Sequence, residues 1–181
     1  MPESSDTKMI IADGFRIQMQ KKPFEKITVQ DITDQCGLNR QTFYYHFQDK
    51  YELLNWVFYN EIIDPFTMDI TIDNWSDKLL ALLEKMKEDP KFYTNAFKTP
   101  HGEEFRKFLL NAVKDILCDV IDMIAGGQPV DPDDKLFIAE FMAYGITGTI
   151  SKWVVSGMKR SPRSTTEFIK NLVDNIKSFI S

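Results

Sequence analysis

Apolar residues recur along this chain at intervals of three and four, and no useful stretch alternates at intervals of two. Ile11, Ala12, Phe15 and Met19 form the first stripe, stopped by Lys21-Lys22-Pro23. That spacing predicts an amphipathic helix laid against a core. Leu79, Leu80, Leu83 and Met86 form another, with Asp73 or Asn74 as cap and Asp89-Pro90 as close. Phe105, Leu109, Ala112, Ile116, Val120 and Met123 keep register from Gly102 to Ala125, where Gly126-Gly127 ends a long helix. Asp131-Pro132 opens the next, running to about Gly157. Ser164-Thr165-Thr166-Glu167 has the order of a capping box ahead of Phe168, Leu172, Ile176 and Phe179. Prolines, including Pro65, mark the boundaries, because the ring removes a backbone donor and clashes inside a helix. Short β-branched runs such as Ile70-Thr71-Ile72 are too few for a sheet. The pattern predicts an all-α protein of about nine helices.

Residues 28–54 carry a more specific order of signals. Thr28 caps a short helix with Val29, Ile32 and Cys36 on one face. Gly37 supplies the left-handed residue of a tight turn, and Leu38 plugs it. Asn39 caps a second helix with Phe43 and Phe47 inward, and Asp49 caps a third that carries Leu53, Leu54, Val57 and Phe58. Helix, short turn, helix is the helix-turn-helix arrangement. The outward face of the second helix holds Arg40, Gln41, Tyr44, Tyr45 and Gln48, and no acid. Arginine pairs with guanine and glutamine with adenine, while tyrosine and Thr42 reach phosphates or thymine methyls. Thr28 and Lys50 flank the unit at helix starts, where a hydroxyl, a cation and backbone N–H groups hold phosphate.

Composition first argues against that reading and then supports it. The chain has 181 residues and a formal net charge of −5. Residues 8–50 hold 7 Lys+Arg against 5 Asp+Glu, a net of +2, whereas residues 61–181 hold 15 against 19, a net of −4. The acidity belongs mostly to the second part, and net charge decides little about a local patch. Two cysteines, Cys36 and Cys118, fall at apolar helix positions and read as buried small hydrophobes. Two isolated histidines, His46 and His101, have no ligand or catalytic partners at useful spacing, so neither a metal site nor an enzyme is expected. His46 reads as locally packed, and His101 as a loop residue, a helix start or a ligand contact. The first residues have no leader pattern and no stretch is long enough to span a membrane, which points to the cytoplasm.

Gly37-Leu38-Asn39-Arg40-Gln41-Thr42-Phe43-Tyr44-Tyr45-His46-Phe47, then Asp49-Lys50 and Glu52-Leu53-Leu54, resembles the DNA-binding domain of TetR-family transcriptional regulators over about residues 8–58. Arg40–Tyr44 and Leu54-Asn55-Trp56-Val57-Phe58 are also similar to a narrower branch that includes regulators of dihydroxyacetone kinase operons. The resemblance implies a helix-turn-helix domain at 1–50 and a ligand-binding, dimerising helical domain at 51–181. It implies DNA contacts from Thr28, Asn39, Arg40, Gln41, Thr42, Tyr44, Tyr45 and Lys50, with Tyr44, Lys50 and Thr28 on phosphates. No cofactor is implied.

The second region is rich in rings. Most must be core, yet such a bundle also accommodates a small molecule, and Phe97, Phe108, Glu140, Phe141 and Tyr144 are the expected lining. Glu140 and Tyr144, one turn apart, either orient a hydroxylated ligand or face solvent. Gly145 and Gly148 inside a helix suggest close approach of a neighbouring backbone. Trp153, Val154 and Met158 are candidate anchors of a dimer interface, with packing inside the chain as the alternative. The reading is a ligand-responsive regulator, expected to repress, that binds a palindromic operator on double-stranded DNA as a homodimer with an unidentified small-molecule effector. The alternative is a co-regulator of the same fold that acts through a partner protein, suggested by a net charge of −1 over residues 1–60.

Overall fold

The computed structural model describes residues 4–98 and 103–180, so His101 lies outside the described residues, as do the side chains of Ile176 and Phe179. Helices follow the caps. After α1 (Ser4–Lys21) comes a single 3-10 turn, Phe24–Lys26, and then α2 (Val29–Cys36), α3 (Arg40–His46) and α4 (Lys50–Phe58). A π turn, Tyr59–Ile63, joins α4 without a break to α5 (Asp64–Thr67). The longer elements follow: α6 (Trp75–Glu88), α7 (Pro90–Phe97), α8 (Glu103–Ala125), α9 (Pro132–Val155) and α10 (Pro162–Ile180). Counting α4 to α5 as one run, the described residues form nine helices and no strand. None is long and apolar enough to cross a membrane among the described residues.

Two boundaries differ from expectation. Pro65 does not end a helix. Its ring has no N–H to give and presses toward the carbonyl four residues back, and the wider π turn just before it makes that room. The last helix begins at Pro162, earlier than the Ser164-Thr165-Thr166-Glu167 pattern suggests. Ser161 does the capping instead: its Oγ accepts from Ser164 N–H at 3.1 Å, leaving proline in the first turn, where its missing donor costs nothing.

The chain forms two compact units, and neither is a single stretch. The first contains Met1–Glu61 together with Lys91–Phe108, so it takes in α7 and the start of α8 and extends past the expected division at residue 50. Its core gathers Ile11, Phe15 and Met19 of α1, Ile32 of α2, Phe43 of α3, Leu53, Leu54 and Val57 of α4, and Phe92, Tyr93 and Ala96 of α7. Ring edges lock it: Phe15 meets Phe24 at 6.0 Å and Phe92 at 5.9 Å between centroids. Buried rings of this kind contribute about 0.5–1.5 kcal/mol per pair beyond their area. Helices α1 and α2 approach closely at Gly14, where an added Cβ would overlap Cys36 Sγ and lie 3.3 Å from the Ile32 carbonyl oxygen. The Cys36 thiol donates to the Ile10 carbonyl at 3.2 Å, and burial raises its pKa.

The second unit contains Ile62–Pro90 and Leu109–Ser181. Leu79, Leu83 and Met86 of α6 and Ile169 of α10 are buried there, and α6 and α10 pack together. Trp153, Val154 and Met158 belong to this core and are not interface anchors, because the chain folds back on itself at this point. Gly157 and Met158 both have positive φ, and Trp153 Nε1 donates to the Arg160 carbonyl at 2.8 Å. By contrast α9 leaves Leu136, Phe137, Phe141 and Tyr144 exposed, and α10 leaves Phe168 and Leu172 exposed.

Candidate nucleic-acid interface

Local hydrogen bonds cap each short helix of the helix-turn-helix. Thr28 Oγ1 accepts from Asp31 N–H at 3.1 Å, and Asp31 Oδ2 accepts from Thr28 N–H at 2.7 Å, a reciprocal capping box. Lys22 reaches the same carboxylate at 2.6 Å. The Lys22 ammonium, followed by the Thr28 hydroxyl and amide, holds the Asp31 carboxyl well below the usual carboxylate range. Gly37 closes α2 at φ +67°, and Leu38 N–H returns to the Thr33 carbonyl at 2.9 Å. That is the left-handed helix stop, which only glycine adopts without strain. Asn39 Oδ1 then caps α3, accepting from Thr42 N–H at 2.8 Å. Asp49 Oδ1 caps α4 with bonds of 2.8 and 2.9 Å from Tyr51 and Glu52 N–H.

These caps turn α3 so that Phe43 is fully buried, with Phe47 just beyond its end also inside. The opposite side shows Arg40, Gln41, Tyr44 and Tyr45 to solvent, with Tyr45 82% exposed. Arg40 lies along Tyr44, its guanidinium carbon 5.8 Å from the ring centroid and Nη2 3.2 Å from the hydroxyl. The arginine most able to read a base is thereby pre-oriented by its neighbour one turn on. Thr42 is half-buried, with its hydroxyl donating to Asn39 Oδ1 at 3.1 Å. His46 packs edge-on to Tyr45 at 5.0 Å, in keeping with a local packing role.

Lys50 differs from the expectation. Its Nζ donates to the carbonyls of Phe24, Glu25 and Ile27 at 2.9, 3.0 and 2.8 Å, and lies 4.7 Å from the Phe24 ring centroid. All three ammonium protons are engaged, so the side chain ties α4 to the joint between α1 and α2. Burial lowers its pKa, against the pull of Glu25, Asp31 and Asp49. The same joint holds a residue that sequence reasoning missed. Asn95 of α7 accepts from Phe24 N–H at 2.8 Å and donates to the Met19 and Lys22 carbonyls at 3.0 and 2.8 Å. Its partners lie more than 70 positions away, so no local pattern could have flagged it.

The expected ligand-lining residues separate into two groups. Phe97 and Phe108 are half-buried in the first unit, each against Phe105, at 5.6 and 6.4 Å. Glu140, Phe141 and Tyr144 lie on an exposed face of α9 in the second unit, with Phe141 73% exposed. Side chains that open to solvent do not line an enclosed cavity of this chain, and Glu140 takes the solvent-facing alternative. Nothing described lies within 4 Å of a Cβ built at Gly145 or Gly148, so the close backbone expected there is not supplied by this chain's described residues.

Comparison with known proteins agrees with this geometry. Residues 11–57 match the model of bacterial regulatory proteins of the TetR family, and residues 73–175, more than half of the chain, match a TetR-type transcriptional regulator C-terminal region. The chain is 28% identical, over its full length and 96% of the relative, to the HTH-type dhaKLM operon transcriptional activator DhaS of Lactococcus lactis subsp. lactis. The solved structure of a dihydroxyacetone kinase operon activator DhaS is similar at TM-score 0.72 and 30% identity, covering 96% of this chain and 98% of that one. A TetR-family repressor, AlkX from Dietzia, shares the fold at TM-score 0.58 and 12% identity, over 94% and 95% of the two chains. With its capped helix-turn-helix and family matches at both ends, the chain belongs to the TetR family of transcriptional regulators.

Proposed function

We propose that the protein activates transcription by binding a palindromic operator as a homodimer, under the control of a small-molecule effector. The observation that carries the reading is the solvent-facing, acid-free surface of α3, in which Arg40, Gln41, Tyr44 and Tyr45 are presented by a fully capped scaffold. We assign base contacts to Arg40, Gln41 and Tyr45, and backbone contacts to Tyr44, Thr28, Asn39 and Thr42. Lys50 holds the scaffold and does not touch phosphate in this reading, because its protons are already donated. Two α3 helices related by a twofold axis would enter successive major grooves about 34–36 Å apart. Exposed Phe137, Phe141 and Tyr144, at i, i+4 and i+7, make an apolar stripe suited to the same stripe of a second copy. Gly145 and Gly148 continue that face and allow close helix approach.

Family resemblance alone points to repression. Similarity to activators at 28% and 30% identity favours activation, and a dihydroxyacetone kinase operon as the target. Footprinting on such an operon's upstream DNA tests the reading, with dihydroxyacetone as the first effector probe. Protection by wild type, lost in Arg40→Ala/Tyr44→Ala, supports it. Equal binding of both proteins to any sequence would sink it. Deleting the gene should lower target transcription, and a rise would reassign the protein as a repressor.

A further inference from the structure

The chain between α1 and α2 has no regular structure beyond one 3-10 turn, yet its polar backbone is fastened from two sides. Lys50 takes the carbonyls of Phe24, Glu25 and Ile27, and Asn95 takes those of Met19 and Lys22 together with the Phe24 amide. Met19 belongs to the last turn of α1, whose terminal carbonyls have no partner within the helix. A side-chain amide from α7 therefore acts as a C-cap supplied from a distant part of the sequence. It uses both of its N–H donors and one oxygen lone pair, in a part-buried setting where an unpaired group is costly.

The DNA-reading helices hang from this joint. Thr28 begins α2 directly after it, Lys22 within it pairs with Asp31 of α2, and α2 leads through Gly37 into α3. Base reading tolerates misplacement of only about 0.5 Å before paired hydrogen bonds are lost. We propose that Asn95 is a positioning residue for DNA recognition: its amide fixes the exit of α1, and so sets the placement of α2 and α3. The inference rests on the DNA-binding reading above. It also gives the C-terminal family region, which includes residue 95, a hydrogen-bonded hold on the joint from which the DNA-reading helices hang. Phe92 and Tyr93 beside it are fully buried in the same unit, so α7 is anchored there by packing as well as by the amide.

The test uses the full chain and operator DNA selected by the wild type from a random pool. Asn95→Ala removes the three bonds, and Asn95→Asp keeps the acceptor for Phe24 N–H while removing both donors and adding a charge beside two carbonyls. Ala96→Gly, a neighbouring change that loosens α7 and empties a buried methyl position without touching the amide, is the structural control. Operator affinity per folded molecule should fall about tenfold in Asn95→Ala and Asn95→Asp, roughly the effect of one lost hydrogen bond. Affinity for non-specific DNA should stay within about twofold, because backbone charge is untouched. Exchange of the Phe24 amide proton should accelerate in Asn95→Ala and stay slow in Ala96→Gly. If Asn95→Ala binds operator as wild type does, or loses no more than Ala96→Gly, the residue merely stabilises the fold and the proposal is overturned. A wild type that selects no sequence would overturn the DNA-binding reading and this inference together, whereas the preceding outcomes overturn this inference alone.

Discussion

Replacing Gly14 by alanine should destabilise the protein by about 1–2 kcal/mol, although alanine is the better helix former by about 1 kcal/mol. The reason is the crossing of α1 and α2. A Cβ at position 14 would overlap Cys36 Sγ and lie 3.3 Å from the Ile32 carbonyl oxygen. The backbone of α2 cannot retreat easily, because Thr28 and Gly37 cap both of its ends. Cys36 is the part that yields, by leaving its rotamer at a cost of about 0.5–1.5 kcal/mol and giving up the 3.2 Å bond to the Ile10 carbonyl. With some residual crowding against Ile32, the total strain is about 2–3 kcal/mol, and subtracting the helix gain leaves the net figure. In a Cys36→Ala background the main obstacle is gone and only the Ile32 carbonyl oxygen still crowds the site, so Gly14→Ala should be neutral or stabilising by up to about 1 kcal/mol. Urea unfolding followed by circular dichroism across the four proteins of this cycle measures the coupling. If Gly14→Ala has the same effect with and without the thiol, the helices do not meet where described, and the reasoning is refuted.

Three more outcomes can be checked with similar means. Lys50→Met keeps the hydrocarbon stem over Phe24 but orphans three carbonyls, so it should lower stability by about 2–4 kcal/mol, whereas Lys22→Met loses about 1 kcal/mol or less. Equal urea midpoints for the two variants would contradict the clamp. The Asp31 carboxyl titrates lower in the folded chain than its ordinary value of 3.8, so the unfolded chain binds more protons in that acid window. Its contribution is therefore complete above that value and fades as pH falls below it; Asp31→Asn should show a flatter acid limb, and an unchanged one would remove the assigned role. Phe141→Asp should shift sedimentation from dimer to monomer while circular dichroism stays the same, and a persistent dimer would move the interface off α9.

Legibility from sequence tracks the range of the interaction. Caps at Thr28, Asn39, Asp49 and Asp131 are readable because donor and acceptor lie within three residues of each other. The same locality exposes the α3 face, since burying Phe43 and Phe47 fixes which way Arg40 and Tyr45 point. A lysine at a helix start favours anions, which points Lys50 to phosphate, yet its true carbonyl partners sit 23 to 26 residues back. Trp153, Val154 and Met158 resemble interface anchors because periodicity shows that a face is apolar but not what covers it. Positive φ at Gly157 and Met158, invisible in an alternation pattern, folds the chain back over that face. Phe141 and Tyr144 differ in the opposite sense: ring content suggests an enclosed lining, and the structure leaves both exposed.

The first unit's two-part construction has a consequence for anyone who would treat its DNA-reading end as a portable module. Residues 1–61 alone omit Phe92, Tyr93, Ala96 and the Asn95 amide, so a fragment cut there would expose the underside of α1 and leave the Met19 and Lys22 carbonyls unpaired. A hybrid regulator that joins this chain's recognition helix to another family member's effector region would inherit a foreign α7. Grafts that exchange residues 91–108 along with residues 1–61 keep the unit whole, and those that splice after α4 do not.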